Sequence, residues 1–325
     1  MKSILLIVIQ VVLAILLGLF FVGKQQGVSY LLFWPLFLAI VIMPFFAYRS
    51  SKGFQIATLL ILEFSLALIP MMGLPHFFQL GRDSYFEAQV ASLIIEKQQW
   101  DPTIGTGLAE SYYGYNPVLH FVLSFLSLSM DVHPLILTKY IYLVLLRLLF
   151  VTVAFMLFCL LLEKKELAFL ATLLFMGSAR LAAMNVSRRL MGALFIMFAL
   201  YCLIKYLKEK NWTYLALFIL FSIMVVLSDH SHSILFMGFL FCAFAFFMLE
   251  RVLKIKGADL ALPFFCAFAI FVIIWISWSG FVTKVLLAQD ISYIGSILDS
   301  AFVKDGTIAQ VHINKPYENT LMFAS

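Results

Sequence analysis

Residues 135–162 read LILTKYIYLVLLRLLFVTVAFMLFCLLL, and a polar tetrapeptide, Glu-Lys-Lys-Glu, ends this apolar run at residues 163–166. A helix that rises about 1.5 Å per residue needs about 20 apolar residues to cross about 30 Å of hydrocarbon. The run therefore predicts a helix that spans a membrane. The composition agrees, because 64% of the residues are hydrophobic and 12% are charged, whereas about a quarter of the residues in soluble domains are charged.

Further apolar runs extend this interpretation to an all-α, polytopic membrane protein with about nine transmembrane helices. They cover residues 3–22, 30–48, 54–72, 167–178, 190–207, 214–227, 234–249 and 260–279. We expect two N-terminal transmembrane helices in residues 1–53, a transmembrane module in residues 54–279 and an outer segment in residues 280–325. The four cysteines lie in the apolar runs without metal-type spacing, so we expect them to be reduced.

The basic residues between the predicted spans indicate the orientation of the chain. When the spans alternate in direction, most of these residues fall on one face, which the positive-inside rule places in the cytoplasm. They are Lys2, Arg49, Lys52, Lys164, Lys165, Lys205, Lys208, Lys210, Arg251, Lys254 and Lys256. The net charge of +5 therefore reflects orientation and not nucleic-acid binding. The prediction is a multi-pass plasma-membrane protein with a cytoplasmic N-terminus.

The loop 73–134 lies outside in this topology and carries two predicted surface helices. Phe86, Val90, Leu93 and Ile94 share one helical face, which predicts an amphipathic helix from Ser84 onward. A polar row lies on the same helix at Gln89, Ser92 and Glu96. A second helix, residues 118–130, is too short to span at about 20 Å. We expect Asn116 to cap it, with Pro117 at its first position.

Three short motifs in this loop carry a family resemblance. Residues 81–87 read GRDSYFE, and WDP and YNP follow at residues 100–102 and 115–117. A helix that emerges outside, followed by these motifs and two surface helices, resembles the first outer loop of the GT-C superfamily of membrane glycosyltransferases. Within it, the loop is most similar to relatives of protein mannosyltransferases and of oligosaccharyltransferase catalytic subunits. The resemblance is most specific over residues 81–137. Members usually have further spans, so we expect a truncated or unusually small chain.

The resemblance implies that Asp83 is the catalytic base or a ligand of a divalent cation, Mg²⁺ or Mn²⁺. It also implies a sugar donor on a polyprenyl phosphate. Glu87, four residues later, shares a helical face with Asp83 and is its expected catalytic neighbour. The sequence leaves open a purely structural role in which Asp83 caps a helix beginning at Ser84.

Cations that neutralise the departing phosphate are expected in another outer loop. Arg180, Arg188 and Arg189 lie within residues 178–189, with Arg188 and Arg189 preferred as donor-phosphate contacts. Contacts with lipid headgroups would explain these residues equally well. Oligosaccharyltransferases carry a second acidic residue in this loop, whereas residues 178–189 contain none. A metal site of their type is therefore doubtful.

Residues 228–233, SDHSHS, form a third outer constellation. Asp229 and His230 are candidate ligands of a divalent cation together with Asp83, and His230 is also a candidate for the donor phosphate. His230 is preferred to His232. A polar turn, in which these side chains bond the backbone, is the structural alternative.

Two charged residues fall at similar depth inside predicted spans, Glu63 in the third and Arg147 in the fourth. Isolated charges in hydrocarbon are costly, so we expect them to form an ion pair. A proton pathway is the alternative. Lys139, nearer the outer end of the fourth span, either contacts the donor phosphate or extends to the membrane surface.

The sequence thus predicts a GT-C-type enzyme that moves a hexose or pentose to a glycan, lipid or protein acceptor on the outer face. Other classes remain open. A lipid-carrier flippase would use Glu63 and Arg147 as its working charges. A structural membrane subunit would keep the fold without the chemistry, and a partner subunit could also complete the site.

Overall fold

A computed structural model describes residues 2–24, 33–72, 82–101, 116–177, 188–253 and 260–281. Over these residues the chain is helical and contains no strand. The fold divides into a unit Met1–Trp278 and a unit Ser279–Ser325. Only residues 279–281 of the second unit are described, so most of the predicted outer segment 280–325 lies outside the described residues.

The helices follow the predicted apolar runs closely. Their bounds are α1 Lys2–Lys24, α2 Phe33–Phe46, α3 Lys52–Met72, α4 Arg82–Lys97, α5 Val118–Met130, α6 Pro134–Ile136, α7 Leu143–Leu162, α8 Lys165–Met176, α9 Arg188–Glu209, α10 Trp212–Ser228, α11 His230–Val252 and α12 Ala261–Phe281. A π-helical turn, Leu137–Tyr142, joins α6 to α7. The prediction of one helical run over residues 135–162 therefore missed a change of helix type near its beginning.

Four helices of the described part of the chain are long and apolar enough to cross a membrane: Val144–Leu162, Arg188–Glu209, His230–Val252 and Ala261–Gly280. Many large apolar side chains on the last two are exposed, including Leu235, Phe239, Leu262 and Ile273. Such a surface suits a hydrocarbon environment better than water. The described residues thus form an all-helical fold with four helices that could span a membrane.

Helix α7 is the centre of the bundle. Its sequence is apolar all round, which is typical of a helix covered by other elements. One side, with Phe150 and Ala154, packs in a core shared with α4, α5 and α9. The other side, with Val151 and Phe155, packs in a core shared with α2, α3 and α8. On the second side, α3 also binds α1, because the buried Gln10 Nε2 donates to the Thr58 carbonyl over 3.0 Å.

The two ends of the bundle differ in chemistry. Lys208 Nζ, near the end of α9, donates to the Leu160 carbonyl over 2.7 Å, so α7 and α9 end on the same side. Lys165 Nζ donates to the Ser50 carbonyl over 2.9 Å. At about 1.5 Å per residue, the 22 residues of α9 place Arg188 about 30 Å from this lysine-rich end. The polar groups described next lie around Arg188.

Candidate functional site

Glu87 is the centre of a buried polar cluster formed by α4, α5 and α9. Its side chain is 1% exposed. One carboxylate oxygen, Oε1, accepts from Arg188 Nε over 2.8 Å and from the Arg188 backbone N–H over 3.4 Å. The other oxygen, Oε2, is hydrogen-bonded to His120 Nε2. Both oxygens of Glu87 are therefore engaged in hydrogen bonds within the cluster.

His120 was missed in the sequence, although a signal was present. His120, Ser124 and Ser127 recur at helical spacing on α5 and are all buried. Ser124 Oγ donates to the Ala91 carbonyl of α4 over 3.1 Å. His120 and Ser124 face α4, whereas Ser127 Oγ donates to the Val132 carbonyl over 2.7 Å. Buried hydroxyl and imidazole groups need such partners because lipid cannot supply them.

Asn116 also belongs to the cluster, and its prediction as a helix cap was wrong. The cap position of α5 is Pro117, and no side chain bonds the backbone there. The Asn116 amide instead links two other helices. Its Oδ1 accepts from Arg188 Nη1, and its Nδ2 donates to the Val226 carbonyl, each over 3.4 Å.

The two preferred arginines occupy different environments at the start of α9. The Arg188 side chain is 18% exposed and is bound by Glu87 and Asn116. Arg189 lies on the exposed side of the same helical turn. Arg180, the third cation of this loop, lies outside the described residues.

Asp229 joins α10 to α11 and caps α11. Its Oδ2 accepts from the His232 backbone N–H over 2.9 Å and pairs with His232 Nδ1 over 2.7 Å. Burial opposes ionisation of Asp229, but these two hydrogen bonds and the positive charges of His232 and Arg188 outweigh burial and lower its pKa. Within this turn Asp229 therefore pairs with His232, and the preference for His230 as a ligand of a cation or of the donor phosphate stays a prediction. The His230 ring instead stacks on Trp275, with centroids 6.1 Å apart.

Gly192 brings the Asp229 turn close to α9. A Cβ at this position would lie 3.1 Å from the His232 Cβ and 3.3 Å from the Asp229 Cβ. Gly192 is one turn beyond Arg188, so both lie on the same side of α9. The absence of a side chain at Gly192 lets the Asp229 turn approach α9.

Asp83 lies in the first turn of α4, four residues before Glu87. The helix begins at Arg82 and not at Ser84, so Asp83 is inside the helix and not in the predicted cap position. The side chains of Asp83 and Lys139 lie outside the described residues. Among the side chains that are described, no three of His, Cys, Asp or Glu come together as a metal site. The predicted grouping of Asp83, Asp229 and His230 stays a prediction.

A cavity of about 320 Å³ lies beside α4, on a different side from Glu87. Its lining consists of Tyr85, Ala88, Gln89, Ser92, Leu93, His133 and Leu135. Gln89 and Ser92 are two of the three residues in the predicted polar row. The row thus borders an open cleft next to α6.

The structure brings Glu63 and Arg147 together between α3 and α7. Arg147 Nε lies 2.6 Å from Glu63 Oε1, and the two side chains are 2% and 1% exposed. The ion pair expected from their similar depth is present. The pair joins α3 to α7, whereas the Glu87 cluster joins α4, α5 and α9.

No protein-family model, curated protein or solved structure matches this chain. Its function is therefore inferred from its own residues and their geometry.

Proposed function

We propose that this chain is a GT-C-like membrane glycosyltransferase that moves a sugar from a polyprenyl-phosphate donor to an acceptor on the outer face. The observation that carries the proposal is the buried Glu87–His120–Arg188 cluster, one helical turn from Asp83. It lies at the end of an apolar bundle opposite the lysine-rich end. Buried charged clusters with convergent polar groups are typical of functional sites.

The same proposal includes a topology. The nine apolar runs predicted from the sequence supply the membrane spans, while α4 and α5 lie along the outer surface. The lysine-rich end with Lys165 and Lys208 faces the cytoplasm, as the positive-inside rule favours. The lipid tail of the donor lies in the bilayer, so its phosphate lies at the outer membrane surface. The Glu87 cluster is at the same level in this topology.

Glycosyl transfer needs a proton acceptor for the acceptor hydroxyl and a cation for the leaving phosphate. The acceptor hydroxyl gives its proton to Asp83 as its oxygen bonds to the anomeric carbon. The bond from that carbon to the phosphate oxygen breaks, and the phosphate leaves with the electron pair. A cation at the start of α9 offsets the negative charge on the leaving phosphate, and the candidates are Arg188 and Arg189.

The geometry favours Asp83 over Glu87 as the base. Arg188 and His120 already hold both oxygens of Glu87 in three hydrogen bonds. Glu87 therefore supports the site by holding its neighbours. Asp83 acting as a base requires no metal. If Mg²⁺ or Mn²⁺ takes part, the ligands proposed from the sequence are Asp83, Asp229 and His230.

Transfer in proteoliposomes that contain a polyprenyl-phosphate-linked sugar tests the proposal. Asp83→Asn should reduce sugar transfer at least a hundredfold, because general-base catalysis contributes about 10²–10⁴-fold. Asp131→Asn is the matched control, since Asp131 is exposed and has a left-handed backbone that Asn also adopts readily. Unaltered transfer by Asp83→Asn, with activity in the unmodified chain, would end the assignment of Asp83.

The buried Glu63–Arg147 pair favours one second candidate, a lipid-carrier flippase. Charges inside a membrane often mark transport pathways. A double substitution, Glu63→Gln with Arg147→Gln, separates the two functions. A glycosyltransferase should keep transferring sugar in this folded variant, whereas a flippase should lose movement of the lipid carrier across the bilayer.

A further inference from the structure

We infer that Glu87 and His120 are positioning residues, which hold the first turn of α9 so that Arg189 contacts the donor phosphate. This inference rests on the proposed function and assigns different roles to the two arginines. Arg188 is the bridge between the buried cluster and α9. Arg189 presents its charge on the exposed side of the same turn.

Glu87 binds the beginning of α9. The first N–H groups of a helix have no partner within the helix. Glu87 Oε1 accepts from one of them, the Arg188 N–H, over 3.4 Å, and also from the Arg188 Nε over 2.8 Å. A single carboxylate thus binds both the backbone and the guanidinium group of Arg188. It fixes the helix end and the direction in which the next residue leaves it.

His120 in turn binds Glu87. The side chains of His120 and Glu87 are 0% and 1% exposed, and His120 Nε2 is hydrogen-bonded to Glu87 Oε2. No described group bonds His120 Nδ1. Nε2 therefore carries the hydrogen and donates a hydrogen bond to Glu87. The other tautomer would bury an N–H at Nδ1 without an acceptor, which costs more free energy. This donor orients the carboxylate towards Arg188.

The positive charge of Arg188 is already offset within the cluster. Glu87 lies against its guanidinium group and accepts from Arg188 Nε over 2.8 Å. This buried carboxylate thus offsets the positive charge of Arg188. A phosphate gains less from a cation that is already neutralised than from Arg189 in the same turn.

Binding of farnesyl phosphate to the full chain in lipid nanodiscs tests these roles, with farnesol as the probe that lacks the phosphate. Arg189→Gln and His120→Leu should each weaken binding of farnesyl phosphate roughly tenfold, as expected for one charge-assisted hydrogen bond. His120→Gln keeps a side-chain N–H donor and should bind like the unmodified chain. Lys208→Gln, at the far end of α9, is the matched control and should leave binding unchanged.

A combined variant distinguishes positioning from general damage. If His120 acts through Arg188, His120→Leu should weaken binding no further in a chain that already carries Arg188→Gln. Hydrogen exchange of the α9 amides at residues 188–192 supplies a readout that needs no ligand. These amides should exchange faster in His120→Leu than in His120→Gln, because the Glu87 acceptor is no longer oriented.

The outcomes separate the inference from the function on which it rests. Unchanged exchange and unchanged binding in His120→Leu, with normal binding by the unmodified chain, would overturn the positioning role alone. Equal binding of farnesyl phosphate and farnesol by the unmodified chain would overturn the proposed function, and with it the role of Arg189. Full additivity of His120→Leu and Arg188→Gln would overturn the route through Arg188.

Discussion

Removing the negative charge of Glu63 should destabilise the fold more than removing both charges of its ion pair. Arg147 Nε lies 2.6 Å from Glu63 Oε1, and both side chains are almost completely buried. Glu63→Gln removes the carboxylate that lies against the buried Arg147 charge. Breaking a buried pair in this way costs about 3–5 kcal/mol.

The double variant Glu63→Gln/Arg147→Gln leaves no buried charge. Replacing both partners of a buried pair by neutral residues is often close to neutral, so this variant should lose clearly less stability than Glu63→Gln. The coupling free energy between the two substitutions should therefore be about 2–4 kcal/mol. A value of this size implies that the pair joins α3 to α7 and is not merely tolerated.

Reversible unfolding in detergent, followed by circular dichroism, gives the free energy of unfolding for the four members of this cycle. Glu209→Gln supplies the control, because Glu209 pairs with Lys205 at the surface and its side chain is 43% exposed. Exposed pairs contribute little, so this substitution should leave unfolding nearly unchanged. Additive effects of the two substitutions, or a harmless Glu63→Gln, would refute the role given to the pair.

Other predictions concern the polar cluster. Gly192→Ala places a Cβ 3.1 Å from the His232 Cβ, and it should lower the free energy of unfolding by about 1–3 kcal/mol. Gly238→Ala, with nothing within 4 Å of the added atom, should be neutral or stabilising by about 0.5–1 kcal/mol in the same unfolding assay. Asn116→Ala leaves the Val226 carbonyl without its side-chain donor and should cost about 1–3 kcal/mol; an unchanged unfolding curve would contradict that contact. Folding lowers the pKa of Asp229 below 3.8, so this carboxylate stabilises the fold above that pH, and the contribution is lost as the pH falls through the folded-state pKa. Asp229→Asn should therefore lower stability at neutral pH and reduce the further loss on acidification, as measured by unfolding from pH 7 to pH 3; an unchanged pH profile would count against the His232 contacts.

Much of the helical framework was predictable because it depends on local sequence. An apolar run long enough to form a membrane helix can be recognised from composition alone. Helices occur at the apolar runs 54–72, 190–207 and 260–279, as predicted. The amphipathic pattern after residue 84 likewise became α4. Helix ends were less accurate, as at Arg82 and Pro117, because tertiary contacts compete with local capping. Asn116 is an example, since its amide bonds Arg188 and Val226 instead of its own helix.

The sequence by itself determined the class of protein, the approximate helices and the sorting of Lys165 and Lys208 to one end. Hydrophobicity, length and charge act along a single helix, so they can be read without a partner. Only the tertiary structure decided that Glu87 meets His120, 33 residues away, and Arg188, 101 residues away. Periodicity shows which face of a helix is polar. Which two polar faces come into contact depends on how the helices pack. Here that packing depends on details such as the missing side chain of Gly192.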